Sequence, residues 1–169
     1  MSLSKYCLLT LLLVGAMSLQ AQEIKWMSWD EAVAANAKTP KKIFVDVYTD
    51  WCGWCKKMEQ TTFQEPAVVA AISKDFYAVR LNAEQKESIF WRDMEFKWEA
   101  GGRGGTNRLA YEILDGQMSY PTFVLLDKEF ARIAISPGYK VGDALLKELK
   151  YASEEIYRTT DWATYLSKS

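Results

Sequence analysis

The stretch TDWCGWCKKM, residues 49–58, holds two cysteines three positions apart, with Trp51 and Trp54 interleaved and Lys56 and Lys57 following. Its chemistry depends on its flanks. Immediately before it runs KIFVDVYT (42–49), a nearly continuous apolar and β-branched segment of the kind a central buried strand requires. After it, Lys56, Met58 and Glu59 open a predicted helix. The cysteines therefore stand at a strand-to-helix junction, where free N–H groups and the positive end of the helix dipole favour a thiolate at the first sulfur. This predicts that Cys52 is the exposed nucleophile. Cys55, one turn in, is the more buried partner, poised to attack a mixed disulfide.

Two other chemistries use such a pair. A closed zinc site needs four ligands, usually Cys and His; the chain has no histidine and three cysteines, so carboxylates would have to complete it. A structural disulfide is the blander alternative, but a loop of two intervening residues removes little unfolded-state entropy. The junction favours the redox reading. That reading needs no metal and no cofactor beyond the Cys52–Cys55 pair.

The third cysteine, Cys7, lies in an N-terminal segment with the pattern of a secretory signal: Lys5, then the apolar run LLTLLLVGAM (8–17), then Ala16-Met17-Ser18 or Leu19-Gln20-Ala21 as a cleavage tripeptide. The run is shorter than the roughly 20 apolar residues of a spanning helix, which makes an uncleaved anchor the weaker alternative. Residues 1–21 are thus expected to be a signal peptide and 22–169 one domain, exported to the periplasm, that retains only Cys52 and Cys55 in a potentially oxidising compartment. The 21 basic and 22 acidic residues leave a net charge of −1, which gives no broad basic face for nucleic acid.

Along the chain, Ser28 and Glu31 form a capping box that opens a helix to about Asn36, and Thr39-Pro40 ends it. Pro66 starts a short helix to about Ile72, and DFYAVRLNA (75–83) reads as a second strand. Residues 84–105 are polar and aromatic and end in GGRGG (101–105), read as a flexible hinge; no Lys-Ser/Thr follows to make a phosphate loop. Phe90, Trp91, Phe96 and Trp98 are expected to pack on the domain, with a substrate-specific lip as the alternative. Thr106 is the predicted cap of a helix over NRLAYEIL. TFVLLD and ARIAIS (131–136) read as partner strands around an Asp127-Lys128 turn. Leu145, Leu149, Ala152 and Ile156 form the stripe of a last long helix, followed by a tail helix with Trp162 and Leu166. This order specifies an α/β sandwich with a mixed sheet.

VDVYTDWCGWCKKM resembles the active-site strand, turn and helix of thioredoxin-fold proteins. The longer DWCGWCKKMEQTTFQEPAVV, with RLNA and SYPTFVLLD, is similar to exported thioredoxin-like proteins and to the C-terminal periplasmic domains of membrane thiol-disulfide interchange proteins. The resemblance covers most of residues 40–150. It implies a three-layer sandwich, with an insertion around 84–105. It also implies protein or peptide disulfide and dithiol clients, and an upstream membrane or thioredoxin-type electron donor. Asp46 matches a buried acid beneath the cysteines that aids proton transfer at the second one, and its neighbours Ile43, Phe44, Val45 and Val47 are apolar. Pro121 matches a cis-proline facing the cysteines, and Tyr120 would offer backbone groups to an extended substrate. Gly53 and Trp54, between the cysteines, fall on the substrate contact. Trp51 fits an apolar rim, with core packing as a strong competitor. Arg80 is the basic neighbour expected for Asp46.

Run in either direction, the exchange uses the same site. Strong oxidants stabilise the thiolate heavily, often with histidine between the cysteines; here Trp54 supplies no cation, which favours a protein-disulfide reductase. An oxidase or isomerase is the alternative enzyme, and a non-catalytic binding module the alternative of another class. Thioredoxin-type and isomerase-type couples differ by about 90 mV, about 4 kcal/mol for two electrons, enough to set the direction.

Overall fold

The computed structural model describes residues 23–101 and 104–168. The signal peptide expected at 1–21, with Cys7, lies outside the described residues, as do two residues of the GGRGG run. No helix among the described residues is long and apolar enough to cross a membrane.

A five-stranded mixed sheet forms the middle layer. Its members are β1 (Trp26–Met27), β2 (Lys42–Tyr48), β3 (Phe76–Asn82), β8 (Thr122–Leu126) and β9 (Arg132–Pro137), in the order β1-β3-β2-β8-β9. β2 runs parallel to β3 and antiparallel to β8; β1 is parallel to β3 and β9 antiparallel to β8. The parallel β2–β3 pair needs a crossover. α2 (Gly53–Gln60) and α3 (Pro66–Asp75) supply it.

Alternation along β2 divides the core. Ile43, Val45 and Val47 pack with α1 (Trp29–Lys38) and α4 (Arg108–Ile113) on one side. Phe44 packs with Met58, Val68, Ile72 and α5 (Gly142–Ser153) on the other. The fold is thus a three-layer α/β sandwich. The capping box is formed as the sequence implies: the Ser28 hydroxyl accepts the Glu31 N–H at 3.2 Å, and the Glu31 carboxylate accepts the Ser28 N–H at 2.8 Å.

Four expectations need correction. Residues 89–107 are two hairpins, β4 (Ile89–Trp91) with β5 (Met94–Phe96) and β6 (Trp98–Gly101) with β7 (Gly104–Asn107). Gly101, Gly104 and Gly105 of the run read as a hinge belong to the second hairpin, in which Gly101 pairs with Gly104 and Ala100 with Gly105. Gly105 lies so close beneath the Trp98 indole that a Cβ there would overlap the ring. The cap of α4 is Asn107, not Thr106, which is paired in β7: the Asn107 Oδ1 accepts the Leu109 N–H at 3.0 Å. Phe90 is 66% exposed, whereas Trp91 packs on Trp29 and Phe130 and Phe96 is buried. Ile156 leaves the α5 stripe because Glu155 adopts a left-handed conformation (φ 57°) and starts a separate 3-10 turn. The tail helix, α6 (Trp162–Lys168), packs Trp162 and Tyr165 on Tyr151 of α5.

Candidate active site

The site grows from the end of β2. The Thr49 carbonyl accepts the Cys52 N–H at 3.1 Å, turning the chain back into α2. Cys52 is the N-cap of that helix, and its Sγ accepts the Cys55 N–H at 3.0 Å. Cys52 and Cys55 are joined by a disulfide. The Cys55 amide in the first turn of the helix thus points at the first sulfur.

Both sulfurs are sheltered: Cys52 is 4% exposed and Cys55 2%. The expectation of an exposed Cys52 does not describe the disulfide form. Bonded to buried Cys55 and capping the helix, the Cys52 sulfur is drawn inward. Trp51 lies outside the core, so its exposure goes against the core-packing alternative and leaves the rim reading open. It is 66% exposed, held edge-on to Tyr120 at 5.7 Å between ring centroids, and its indole N–H donates to both Glu84 carboxylate oxygens at 3.0 Å. Trp54 is 63% exposed and leans on Tyr139, 5.4 Å away. Gly53 is exposed, and a Cβ there would meet only open space. Lys56 and Lys57 are exposed as well.

Because β8 is antiparallel to β2, its first residues lie at the sheet end where β2 leaves for the cysteines: Val47 pairs with Thr122, so Pro121 and Tyr120 fall just beyond. The Tyr120–Pro121 peptide bond is cis. The Pro121 carbonyl accepts the Gly138 N–H at 2.8 Å, while the Tyr120 main-chain N–H and C=O have no hydrogen-bond partner among the described residues. Burial and the Glu84 charge push the Tyr120 phenol up to about 12.

Asp46 is buried in β2 on the face of Phe44, and pairs across the ladder with Arg80 of β3. Arg80 Nε lies 3.5 Å from Asp46 Oδ2, but without hydrogen-bond geometry, and Asp46 Oδ1 has no partner. The guanidinium instead donates to Glu59 at 2.5 Å and lies over the Tyr48 ring at 4.3 Å. Burial therefore outweighs the attraction of Arg80, and Glu59 opposes ionisation as well. The Asp46 carboxyl is raised from 3.8 to about 7, where it can hold or release a proton near neutrality.

Several neighbours of the site carry no motif and were missed in the sequence. Glu84 stands two residues beyond the end of β3, and its placement beside Trp51 could have been found only from the sheet order. Asn107 is fully buried, and its side-chain amide donates to the Glu87 carbonyl at 3.2 Å and the Phe96 carbonyl at 3.4 Å, tying both hairpins to the segment after β3. Behind the Tyr139 loop, buried Glu148 accepts the Ser136 hydroxyl at 2.7 Å and lies 3.8 Å from Lys140. Among the described residues no group of three or more His, Cys, Asp or Glu side chains is placed to hold a metal.

Residues 25–128 match the family model described as thioredoxin-like. Over 41 residues, 24% of the chain, the sequence is 44% identical to the thiol:disulfide interchange protein DsbD of Pectobacterium atrosepticum, of which it covers 7%. Over 83 residues, 48% of the chain, it is 30% identical to spermatogenesis-associated protein 20 of Homo sapiens, of which it covers 11%. The chain thus spans about a tenth of the length of the curated relatives it matches. Among solved structures, the DsbH oxidoreductase superposes with a TM-score of 0.56 at 21% identity, covering 84% of this chain and 92% of that one; at that identity the likeness is one of fold.

Proposed function

The chain belongs to the thioredoxin-like family, and from that premise we propose that it is an exported thiol-disulfide oxidoreductase that reduces protein disulfides through Cys52 and Cys55. The observation that carries the reading is the Cys52–Cys55 disulfide capping α2 at the end of β2, with a buried acid that titrates near neutrality in the adjoining strand.

In the reduced protein the Cys52 thiolate, stabilised by the helix amides, attacks one sulfur of a client disulfide. That client bond breaks, a mixed disulfide forms, and the first client thiolate leaves. Cys55 then gives its proton to the ionised Asp46 and attacks Cys52 Sγ. The mixed disulfide breaks, and the second client thiolate leaves. Two electrons pass to the client, whose thiolates take their protons from Asp46 and from solvent, and Cys52–Cys55 is left oxidised. A dithiol donor, membrane-bound or of thioredoxin type, restores it; the similarity to DsbD supports such a partner. Tyr120 offers its unpaired main-chain groups to an extended client segment, with Pro121, Gly53 and the exposed faces of Trp51 and Trp54 forming its bed.

Residues 1–21 act as the signal for export to the periplasm, and 22–169 form one domain in which the two hairpins are an insertion. The direction of electron flow follows from Trp54, which places no cation between the cysteines. Equilibrating the protein against dithiothreitol redox buffers, with tryptophan fluorescence as readout, tests it. A potential near the thioredoxin range of about −270 mV supports a reductase, and one near about −180 mV makes it an isomerase or oxidase. Insulin reduction no faster with wild type than with Cys52→Ser would make it a non-catalytic binding module.

A further inference from the structure

Beside the disulfide lies a groove of about 680 Å³ that the sequence did not announce. One wall is the rim of the site, Trp51 and Tyr120; the other is the β6–β7 hairpin and the start of α4, with Tyr111 and Met118 at its base. Buried Asn107, with its side-chain bonds to both hairpins and its main-chain N–H donating to Ala83 at 2.7 Å, holds the far wall against the near one.

Among the described residues, three charged side chains line the groove: Glu84, Glu99 and Arg108. Glu84 accepts the Trp51 indole N–H and forms no ion pair among the described residues. It reaches across the groove, since a Cβ on Gly104 would lie 3.8 Å from its Oε1. Arg108 is already committed: its Nε donates to Glu112 at 2.8 Å, and its guanidinium lies 3.7 Å from Glu99. Among the described lining residues the balance is therefore negative, inside walls of three aromatic rings. Carboxylates set among aromatic faces attract a cation, and more strongly as water is displaced.

We propose that this groove is a client-binding site that accepts the basic side chain, Lys or Arg, of an extended polypeptide segment beside the cysteine being exchanged. The proposal rests on the oxidoreductase reading and deepens it by naming the client chemistry. The groove adjoins Tyr120, whose unpaired main chain would hold such a segment, so a side chain one or two residues from the client cysteine falls within its reach.

The test separates binding from turnover. Nonapeptides with Ser in place of the client Cys, flanked by Lys, Gln or Glu, are titrated into the disulfide form of the full mature chain, and the Trp51 indole N–H resonance is followed by NMR. The Lys peptide is expected to bind about fivefold tighter than the Gln peptide at low ionic strength, the Glu peptide more weakly still, and the differences should shrink by 0.5 M salt, as screening requires. Glu99→Gln, at an exposed position, should lower the Lys-to-Gln ratio, and Arg108→Gln should raise it. Equal affinities for the three peptides, or ratios unmoved by both variants, overturn the proposal. The cysteine-containing versions are then assayed as disulfide dimers. Failure to reduce any of them above the Cys52→Ser background counts against the reductase reading, while charge-ranked binding would still stand.

Discussion

Replacing Asp46 with Asn should make the protein more stable and less active at once. The side chains match in volume, so the substitution removes a titration without opening a cavity. In the folded protein the Asp46 carboxyl is raised from 3.8 to about 7, first by burial, with Arg80 opposing and Glu59 reinforcing the shift. An acid whose folded pKa exceeds its unfolded one costs nothing below the unfolded value, since both states are protonated. Stability then falls as pH rises from about 4 to about 7, and the full cost persists above. About three pKa units at 1.36 kcal/mol each give about 4 kcal/mol. Asp46→Asn should therefore match wild type at pH 4 within about 1 kcal/mol and exceed it by about 4 kcal/mol at pH 8. With a urea slope of about 2 kcal/mol/M, the midpoint would rise by about 2 M. Urea unfolding of the disulfide form, followed by tryptophan fluorescence from pH 4 to 8.5, reads this directly. Insulin reduction by the same variant should be slower at pH 7, since Cys55 loses its proton acceptor. A stability difference that is constant across the pH range, or a variant weaker than wild type at pH 8, would refute the account of Asp46.

Glu148→Gln should show the same sign at a second site: burial raises the Glu148 carboxyl above its ordinary range, against the Ser136 hydrogen bond and the Lys140 and Lys147 charges. Wild type should therefore lose stability relative to the variant as pH rises from 4 to 8, seen in urea midpoints. Gly105→Ala would drive a methyl into the Trp98 ring and to 2.7 Å from the Glu99 carbonyl; overpacking of this kind costs about 1–3 kcal/mol and should appear as a lower urea midpoint. Glu84→Gln removes a negative charge bonded to the residue before Cys52. A nearby thiolate then becomes easier to form, so the reduction potential should rise by about 10–20 mV, the two-electron equivalent of about 0.5–1 kcal/mol, measured in dithiothreitol buffers.

What the sequence disclosed is what local pattern encodes. The Ser28–Glu31 box, the apolar run of β2 and the cysteines at its end each carry their signal within a few residues, and the structure builds all three. Glycine proved ambiguous. Its lack of a Cβ serves a hinge and a close approach equally, and only the Trp98 ring lying over Gly105 decides between them. Asn107 was passed over because Thr106 is also a capping residue, and the choice was made by Asn107's contacts with carbonyls at 87 and 96. For Trp51 the sequence left a rim and core packing in competition, and what separates them is long-range: its indole N–H needs an acceptor, and Glu84, 33 positions away, supplies one at the surface.

Two acids, Asp46, named from the sequence, and Glu84, which was not, bear on the direction proposed for the exchange. A low thiolate pKa stabilises the reduced form and makes a dithiol a poor electron donor. Here the Cys55 amide and the helix N-terminus favour the Cys52 thiolate, while the Glu84 carboxylate beside Trp51 acts against it. Glu84 is bound to the adjacent Trp51, Asp46 lies in the strand that leads to the cysteines, and the nearest buried-side cation, Arg80, is spent on Glu59. The chain has no histidine to supply an imidazolium, and the lysines that follow the cysteines, Lys56 and Lys57, stand at exposed positions. On the reductase reading proposed above, a first sulfur held by the helix terminus without an imidazolium neighbour is less stabilised as a thiolate than in a strongly oxidising site, which is the direction that donation to clients requires.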